Sequence, residues 1–558
     1  MIEANTAARL AARFATLAPA QRRAFLDKMG EQGIAFSQLP IPALPQAGTD
    51  GAYEAPLSFA QQRQWFLHRF EPGSAAYHIS SSVTLRGTLD VAALNAAFAA
   101  VTQRHEALRT VFVSDERGNA RQRVLAHVSL DLPITDLSAD PDPDAGADQL
   151  AAGIAELPFD LGQAPLLRVQ LLRLRERHHR LVLVMHHIVS DGWSMQLLID
   201  DIAAAYRAQL QGETGEAPAV QERPPVRYTD YAAWQRNWLE AGEQARQLEW
   251  WRSELAGAPA VLALPTDHPR PAAAVYRVGR CDIAIDDALA HGLRERAREH
   301  GATMFMLLQA GFQALLYRYT GSSDICVGMP VANRNRLEIE RVVGLFVNTQ
   351  ILRVRIDGRE PLRALLEQVR TAVLGAQAHQ DLPFEQLVEA LQPERSMSYN
   401  PLFQVVHNHR RGDRAAAAAL PGLELESAPV GERTTALELT LDTREDSAGH
   451  IHASLLFAED LFDASTAARL AAHYLRLLRA LVDAPEQPLN RVDLLDDGER
   501  SALLELGHGD VGSAVAQPVH ARIAAHAALH PDALAVVCGG QTLCYGELLA
   551  RADRLAAV

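Results

Sequence analysis

An α/β protein of more than one unit is the fold class this sequence predicts, and three observations carry it. The 558 residues exceed what one hydrophobic core supports and suggest about three to four domain-sized units. Long amphipathic helical stretches alternate with short apolar runs, as in LVLVM (181–185), ICVGM (325–329) and TQILRVRI (349–356). Proline- and glycine-rich joints interrupt that alternation and leave two mixed units of about 200 residues each.

Taken in order, Leu10, Phe14, Leu17, Phe25 and Leu26 stand among Ala, Arg and Glu and predict helix over 5–35. LPIPALPQAG (39–48) is a proline-rich joint, and the next segment opens at Pro56. Further joints fall at RPPVRYTD (223–230), DAPEQPLN (483–490) and LGHGDVGSAVAQPV (506–519). The low-complexity run Ala415–Ala419 predicts a loop or helix edge. The sequence shows no internal repeat.

Composition narrows the function classes. Hydrophobic residues make up 48% and charged residues 22%, ordinary values for a folded soluble protein. There are 53 Lys+Arg against 68 Asp+Glu, a net −15, which argues against the basic footprint of a nucleic-acid binder. Cys281, Cys326, Cys538 and Cys544 form no C-x-x-C pair, so neither a disulfide framework nor a zinc ribbon is indicated. The N-terminus lacks a signal-like apolar run, and no segment has the apolar length of a bilayer span. A cytoplasmic protein without membrane or nucleic-acid partners is the expectation.

The densest signal is MHHIVSDGWSMQLLIDDIAAAY (185–206). LLRVQLL (166–172) and LVLVM (181–185) flank the polar stretch RLRERHHR and predict an antiparallel hairpin. Trp193, Leu197, Ile202 and Tyr206 then recur at roughly helical spacing, with Asp200 and Asp201 among them. His186 and His187 therefore fall at a strand end, and Asp191-Gly192 is expected to make the tight turn into the helix. Neighbouring strand residues face opposite sides, so the two histidines are not arranged to share a metal. No helical H-E-x-x-H accompanies them, and no metal is expected. One histidine can face a cavity while the other is buried behind it; the bland alternative is that both are satisfied structural residues.

With its flanking signatures, this pattern resembles the condensation domain of a nonribosomal peptide synthetase, whose active-site motif is HHxxxDG. PLSFAQQRQWFL (56–67), RHEALRTVF (104–112), MHHIVSDGWS (185–194), YTDYAAW (228–234), VVGLFVNTQILR (342–353), HQDLPFEQL (379–387) and ERSMSYNPLFQ (394–404) follow in the family's order. The last departs slightly, with Tyr399 where Arg is common. The tail 519–558 resembles the opening of an adenylation domain, with LCYGEL (543–548) as its first motif, and stops before any phosphate loop. The resemblance implies two chloramphenicol-acetyltransferase-like lobes in a V-shaped pseudodimer with a central substrate tunnel. It divides the chain into a helical, linker or docking segment at 1–48, lobes at 49–222 and 223–490, a linker at 491–518 and the truncated adenylation start.

The resemblance also implies an acyltransferase-type reaction. A carrier-bound aminoacyl amine attacks an acyl or peptidyl thioester, and His187 acts as base or positioning group. His186 supports the loop, Asp191 pairs with a cation for which Arg334 is the candidate, and Gly192 permits the turn and close substrate approach. Trp193, Ser194, Arg334 and Asn348 are the candidates for substrate contact. For Trp193 a core position, and for Asn348 the capping of strand ends, are alternatives. His178 and His179 are expected on the solvated surface. Substrates would ride on the phosphopantetheine of upstream donor and downstream acceptor carrier proteins, without a directly bound cofactor. A starter domain using acyl-coenzyme A to N-acylate the first amino acid is the alternative, and a non-catalytic recruitment module a more distant one.

Overall fold

Two sheets organise the larger part of the chain. The computed structural model describes residues 3–44, 51–212, 224–392, 399–412, 420–428, 430, 434–508 and 517–557. It separates a unit Met1–Asp493 from a unit Leu494–Val558.

In the first lobe the expected hairpin is present. Strands Leu167–Arg175 and His178–His186 pair antiparallel around a turn at Glu176 and Arg177. On its other side His178–His186 pairs with His78–Gly87, so this strand is interior and buried along its whole length. His178 and His179 are accordingly buried, which corrects the solvated-surface expectation. The turn takes only two residues, so the ladder already covers both histidines, opposite Arg86 and Leu85. The order of the five strands is Leu423–Ala428, His78–Gly87, His178–His186, Leu167–Arg175 and Ile134–Asp136. The first of them comes from far along the chain and ties the second lobe into the first-lobe sheet. Helices Val91–Arg104 and Gly192–Leu210 supply Leu94, Phe98, Leu198 and Ile202 to the core beneath Val182 and Val184.

The second lobe is a seven-stranded mixed sheet, ordered Asn348–Arg355, Asp324–Val331, Val405–Arg411, Leu439–Glu445, Ile451–Ala458, Tyr276–Ala284 and Thr434–Thr435. Val405–Arg411 runs parallel to both of its neighbours. Helices Met304–Thr320 and Ala464–Asp483 pack closely: a Cβ on Gly311 would stand 2.6 Å from the Leu478 Cδ2.

The N-terminal helix is interrupted. Ala18 is extended (ψ 150) and Pro19 occupies the first helical turn, giving Ala4–Thr16 and Pro19–Glu31. The joint that follows is no loose linker up to residue 44, because Leu39 and Ile41 are buried. Residues 45–50, the run Ala415–Ala419 and positions 394–398 of the seventh signature lie outside the described residues.

The unit Leu494–Val558 holds helices Asp497–Leu506, Val519–Leu529 and Tyr545–Ala556 and a hairpin, Leu534–Cys538 with Gln541–Cys544. Gly539 and Gly540 turn the hairpin at φ 54 and 83, where residues with a Cβ are strained. Leu506, Val519, Leu529 and Leu555 are exposed.

Candidate active site

The histidine motif begins where the central strand runs out of partners. His186 is the last strand residue and caps a 3₁₀ turn, His187–Val189, with its Nδ1 accepting the Ile188 N–H at 3.1 Å. The His187 N–H donates to the Tyr77 carbonyl at 2.8 Å. Asp191 then caps helix Gly192–Leu210, its Oδ1 accepting the Ser194 N–H at 2.7 Å. The reversal is therefore made by the 3₁₀ turn and not by Asp191-Gly192. Gly192 has no positive φ, and a Cβ there would meet nothing within 4 Å. The turn does not require glycine at this position; the residue presents an open, exposed backbone face.

The two histidines differ sharply. His186 is buried against the rings of His68, His78 and Phe159 at centroid distances of 6.1, 5.9 and 6.2 Å. Burial first, then the neighbouring imidazoles, lower its pKa to about 3, so it is neutral at physiological pH. His187 is half-buried, and its Nδ1 is buried without a hydrogen-bond partner among the described residues.

Asp191 meets its expected cation. Arg334 Nη2 lies 3.2 Å from Oδ1 and 3.4 Å from Oδ2, and Oδ2 also accepts the Phe346 N–H at 3.0 Å. Nη1 of Arg334 donates to the Ile339 and Val342 carbonyls at 2.8 and 2.7 Å, and Nη2 to the Ser194 hydroxyl at 2.8 Å. The guanidinium also stands 4.1 Å over the Phe346 ring. This pair crosses the lobe boundary with both charges buried, and hydrogen bonds on each side offset the desolvation.

Several substrate-contact expectations are corrected by this bonding. The Ser194 hydroxyl donates to the Gly344 carbonyl at 2.8 Å and accepts from the Gly344 N–H at 3.1 Å and from Arg334. Asn348 donates to the Gln380 and Leu382 carbonyls at 2.9 and 2.8 Å, and accepts from the Thr349 and Phe384 amides at 2.9 and 3.0 Å. Both ends of that amide are used, so Asn348 caps chain ends and has no polar valence left for a substrate. The Nη groups of Arg334 are likewise engaged inside the protein. Trp193 is not core: it is 46% exposed, and its Nε1 donates to the Glu340 carbonyl at 2.9 Å.

Residues from other signatures support this loop in ways their individual positions did not announce. Gln61, buried on helix Phe59–Phe70, donates to the Ile188 carbonyl at 3.3 Å. Tyr228 donates to the Leu345 carbonyl at 2.6 Å and bonds Ser58 at 2.8 Å. Gly344 must lack a Cβ, which would stand 1.9 Å from the Tyr228 ring. Asp201 holds His105 at 2.8 Å, Arg104 at 3.3 Å and Arg341 at 3.3 Å. Polar residues inside apolar signatures (Gln61, His105, Asp201) were the available signal. Among the described residues, no cluster of three or more His, Cys, Asp or Glu is arranged to hold a metal ion. Among them, no helix is long and apolar enough to cross a membrane.

Comparison with known proteins agrees with this geometry. The condensation domain family matches residues 52–504. Over 506 residues the chain is 42% identical to a protein of the linear gramicidin synthase of Brevibacillus parabrevis, covering 90% of this chain and 6% of that protein. It therefore spans a small fraction of that relative's length. The X-domain from teicoplanin biosynthesis superposes with a TM-score of 0.70 at 31% identity, over 82% of this chain and 100% of that one. The first condensation domain of the calcium-dependent antibiotic synthetase shares the fold, with a TM-score of 0.63 at 22% identity, over 79% and 99% of the two chains. The seven signatures, the two-lobed architecture and the match across 52–504 converge: this chain belongs to the condensation domain family of nonribosomal peptide synthetases.

Proposed function

We propose that this chain forms an amide bond between an acyl or peptidyl thioester and the amine of an aminoacyl group, each carried on the phosphopantetheine of a carrier protein. The observation that carries the reading is the His187 ring, set at a strand end with a buried Nδ1 that the described residues leave without a partner. Leaving such an atom unbonded costs about 1–3 kcal/mol, and a bound substrate or an ordered water removes that cost.

The neutral amine attacks the thioester carbonyl, a C–N bond forms and the C–S bond breaks. The proton lost by nitrogen passes to the departing thiolate, with the His187 imidazole as acceptor on the way or as the hydrogen-bonding group that aims the nitrogen. The protein's larger contribution is alignment of two tethered reactants. His186, held neutral, adds no cationic charge beside the reacting amine. The open backbone at Gly192 leaves room for the incoming substrate. Residues 519–558 are the opening of an adenylation domain and by themselves support no ATP–pyrophosphate exchange.

The test supplies the purified chain with separate acyl-carrier and aminoacyl-carrier proteins and detects the amide by mass spectrometry. Product from the parent, lost in His187→Ala with both carriers still bound, supports the reading. Carrier binding without product from the parent favours a recruitment module instead.

A further inference from the structure

The loop between Arg334 and Phe346 has two faces. Arg334, Arg341, Gly344 and Phe346 turn toward the histidine motif and its helix, bonding Asp191, Asp201 and Ser194. Arg336 and Glu338 turn the other way and bond a segment some 300 residues earlier. Arg336 Nη1 donates to the Leu39 carbonyl at 2.7 Å, and the Ile41 N–H donates to the Glu338 carboxylate at 2.9 Å.

That earlier segment is seated along its length. Phe36 stacks on Trp234 and Trp238 with centroids at 5.7 and 5.3 Å, and the Arg336 guanidinium lies 4.6 Å over Trp234. Leu39 and Ile41 are buried. The Leu44 N–H donates to Asp230 at 2.7 Å, and Arg227 donates to the Leu44 carbonyl at 2.7 Å. The Phe14 ring meets Phe36 at 5.1 Å, so the N-terminal helix pair rests on the same aromatic stack.

We infer that residues 34–44 are a strap that positions the active-site loop, with Arg336 and Glu338 as its positioning residues. The strap holds the outer face of the 334–346 loop; the inner face of that loop holds Asp191; Asp191 fixes the turn that carries His187. Extended backbone suits the role: Pro40 and Pro42 restrict the segment, and alternate residues can bury side chains while the backbone bonds Arg336 and Glu338. The consequence for turnover rests on His187 being the reacting group; the mechanical coupling does not.

The test uses the full chain with Arg336→Met, which keeps the aliphatic stem over Trp234 and removes the donors, and Arg336→Lys, which restores one. Glu338→Gln is the milder variant should Arg336→Met fold poorly. Amide exchange by mass spectrometry at Ile188–Ser194 is expected to quicken about tenfold in Arg336→Met. kcat for amide formation is expected to fall about three- to tenfold, with KM for both carriers within about twofold of the parent and partial recovery in Arg336→Lys. Faster exchange at Leu39 and Ile41 with exchange at Ile188–Ser194 and kcat as in the parent overturns the strap. Faster exchange at Ile188–Ser194 in a chain whose parent forms no amide supports the strap and refutes the proposed reaction instead.

Discussion

Each lobe places histidines on an interior strand, and the two sets meet opposite fates. In the second lobe His407 lies in mid-strand, fully buried, with Nδ1 2.8 Å from the Gln309 side chain and Nε2 2.9 Å from the Thr443 hydroxyl. Burial drives its pKa well below the ordinary imidazole value, and that of His409 nearby to about 4. In the first lobe His187 sits where the strand has just ended, and its Nδ1 has no partner among the described residues. A mid-strand position surrounds an imidazole with neighbours that saturate it; a strand end hands one ring face to whatever enters. Saturation of both ring nitrogens by neutral groups marks a structural histidine, and an unsatisfied buried nitrogen marks a candidate site.

The severest challenge to that contrast is His187→Ala. Amide formation should fall by about 10²–10⁴ while the variant folds and binds both carriers. Single-turnover product formation at the parent rate would remove the distinction between the two lobes.

Next in size is Arg334→Met, which strands Asp191 in a buried site with its cation gone. A loss of about 3–5 kcal/mol in unfolding free energy is expected by denaturant titration, since the desolvated carboxylate is left uncompensated. Asp191→Asn should likewise act chiefly on folded yield. Normal stability with abolished turnover in Asp191→Asn would assign that carboxylate to the chemistry.

His407→Leu tests the other half of the comparison. It should cost about 1–3 kcal/mol of stability, through the Gln309 and Thr443 groups it leaves unbonded, and leave turnover of the folded fraction unchanged. A specific loss of kcat would make His407 functional.

The smallest effect is one of pH. His186 titrates near about 3 and His409 near about 4 in the folded chain, and His407 well below the ordinary value of 6.5. Between those values and 6.5 the unfolded chain binds more protons, so stability is full above pH 6.5 and declines as pH falls through that window. The melting temperature should drop by several degrees between about pH 7.5 and about pH 5. A flat profile would mean these imidazoles are less buried than the structure places them.

Much of the site's outline was legible in the chain. The 167–186 hairpin and the helix from Gly192 follow from local periodicity, and the histidines at the strand end follow from the two together. The bonding of Ser194 and Asn348 was not legible, because their partners Gly344 and Leu382 lie 150 and 34 residues away. The burial of His178 and His179 was missed for a related reason: a polar pair beside an apolar run reads as a turn until a second strand is known to flank it. Trp193 misled in the opposite sense, since helical spacing does not tell which face another lobe covers.

Residue pattern alone establishes that the chain is α/β, that a histidine pair ends a strand before a capped helix, and that seven ordered signatures mark its family. These are local or pattern properties, fixed by side-chain periodicity and residue chemistry within a few turns of chain. Long-range packing supplies the rest: Asp191 is answered by Arg334, and a strand from 423–428 completes the first-lobe sheet. Packing also sets residues 34–44 against the outer face of the active-site loop. Each of those contacts joins segments well over a hundred residues apart. Nothing in the local pattern of either segment specifies its partner, because the pairing is selected by burial and polar satisfaction of the whole fold at once.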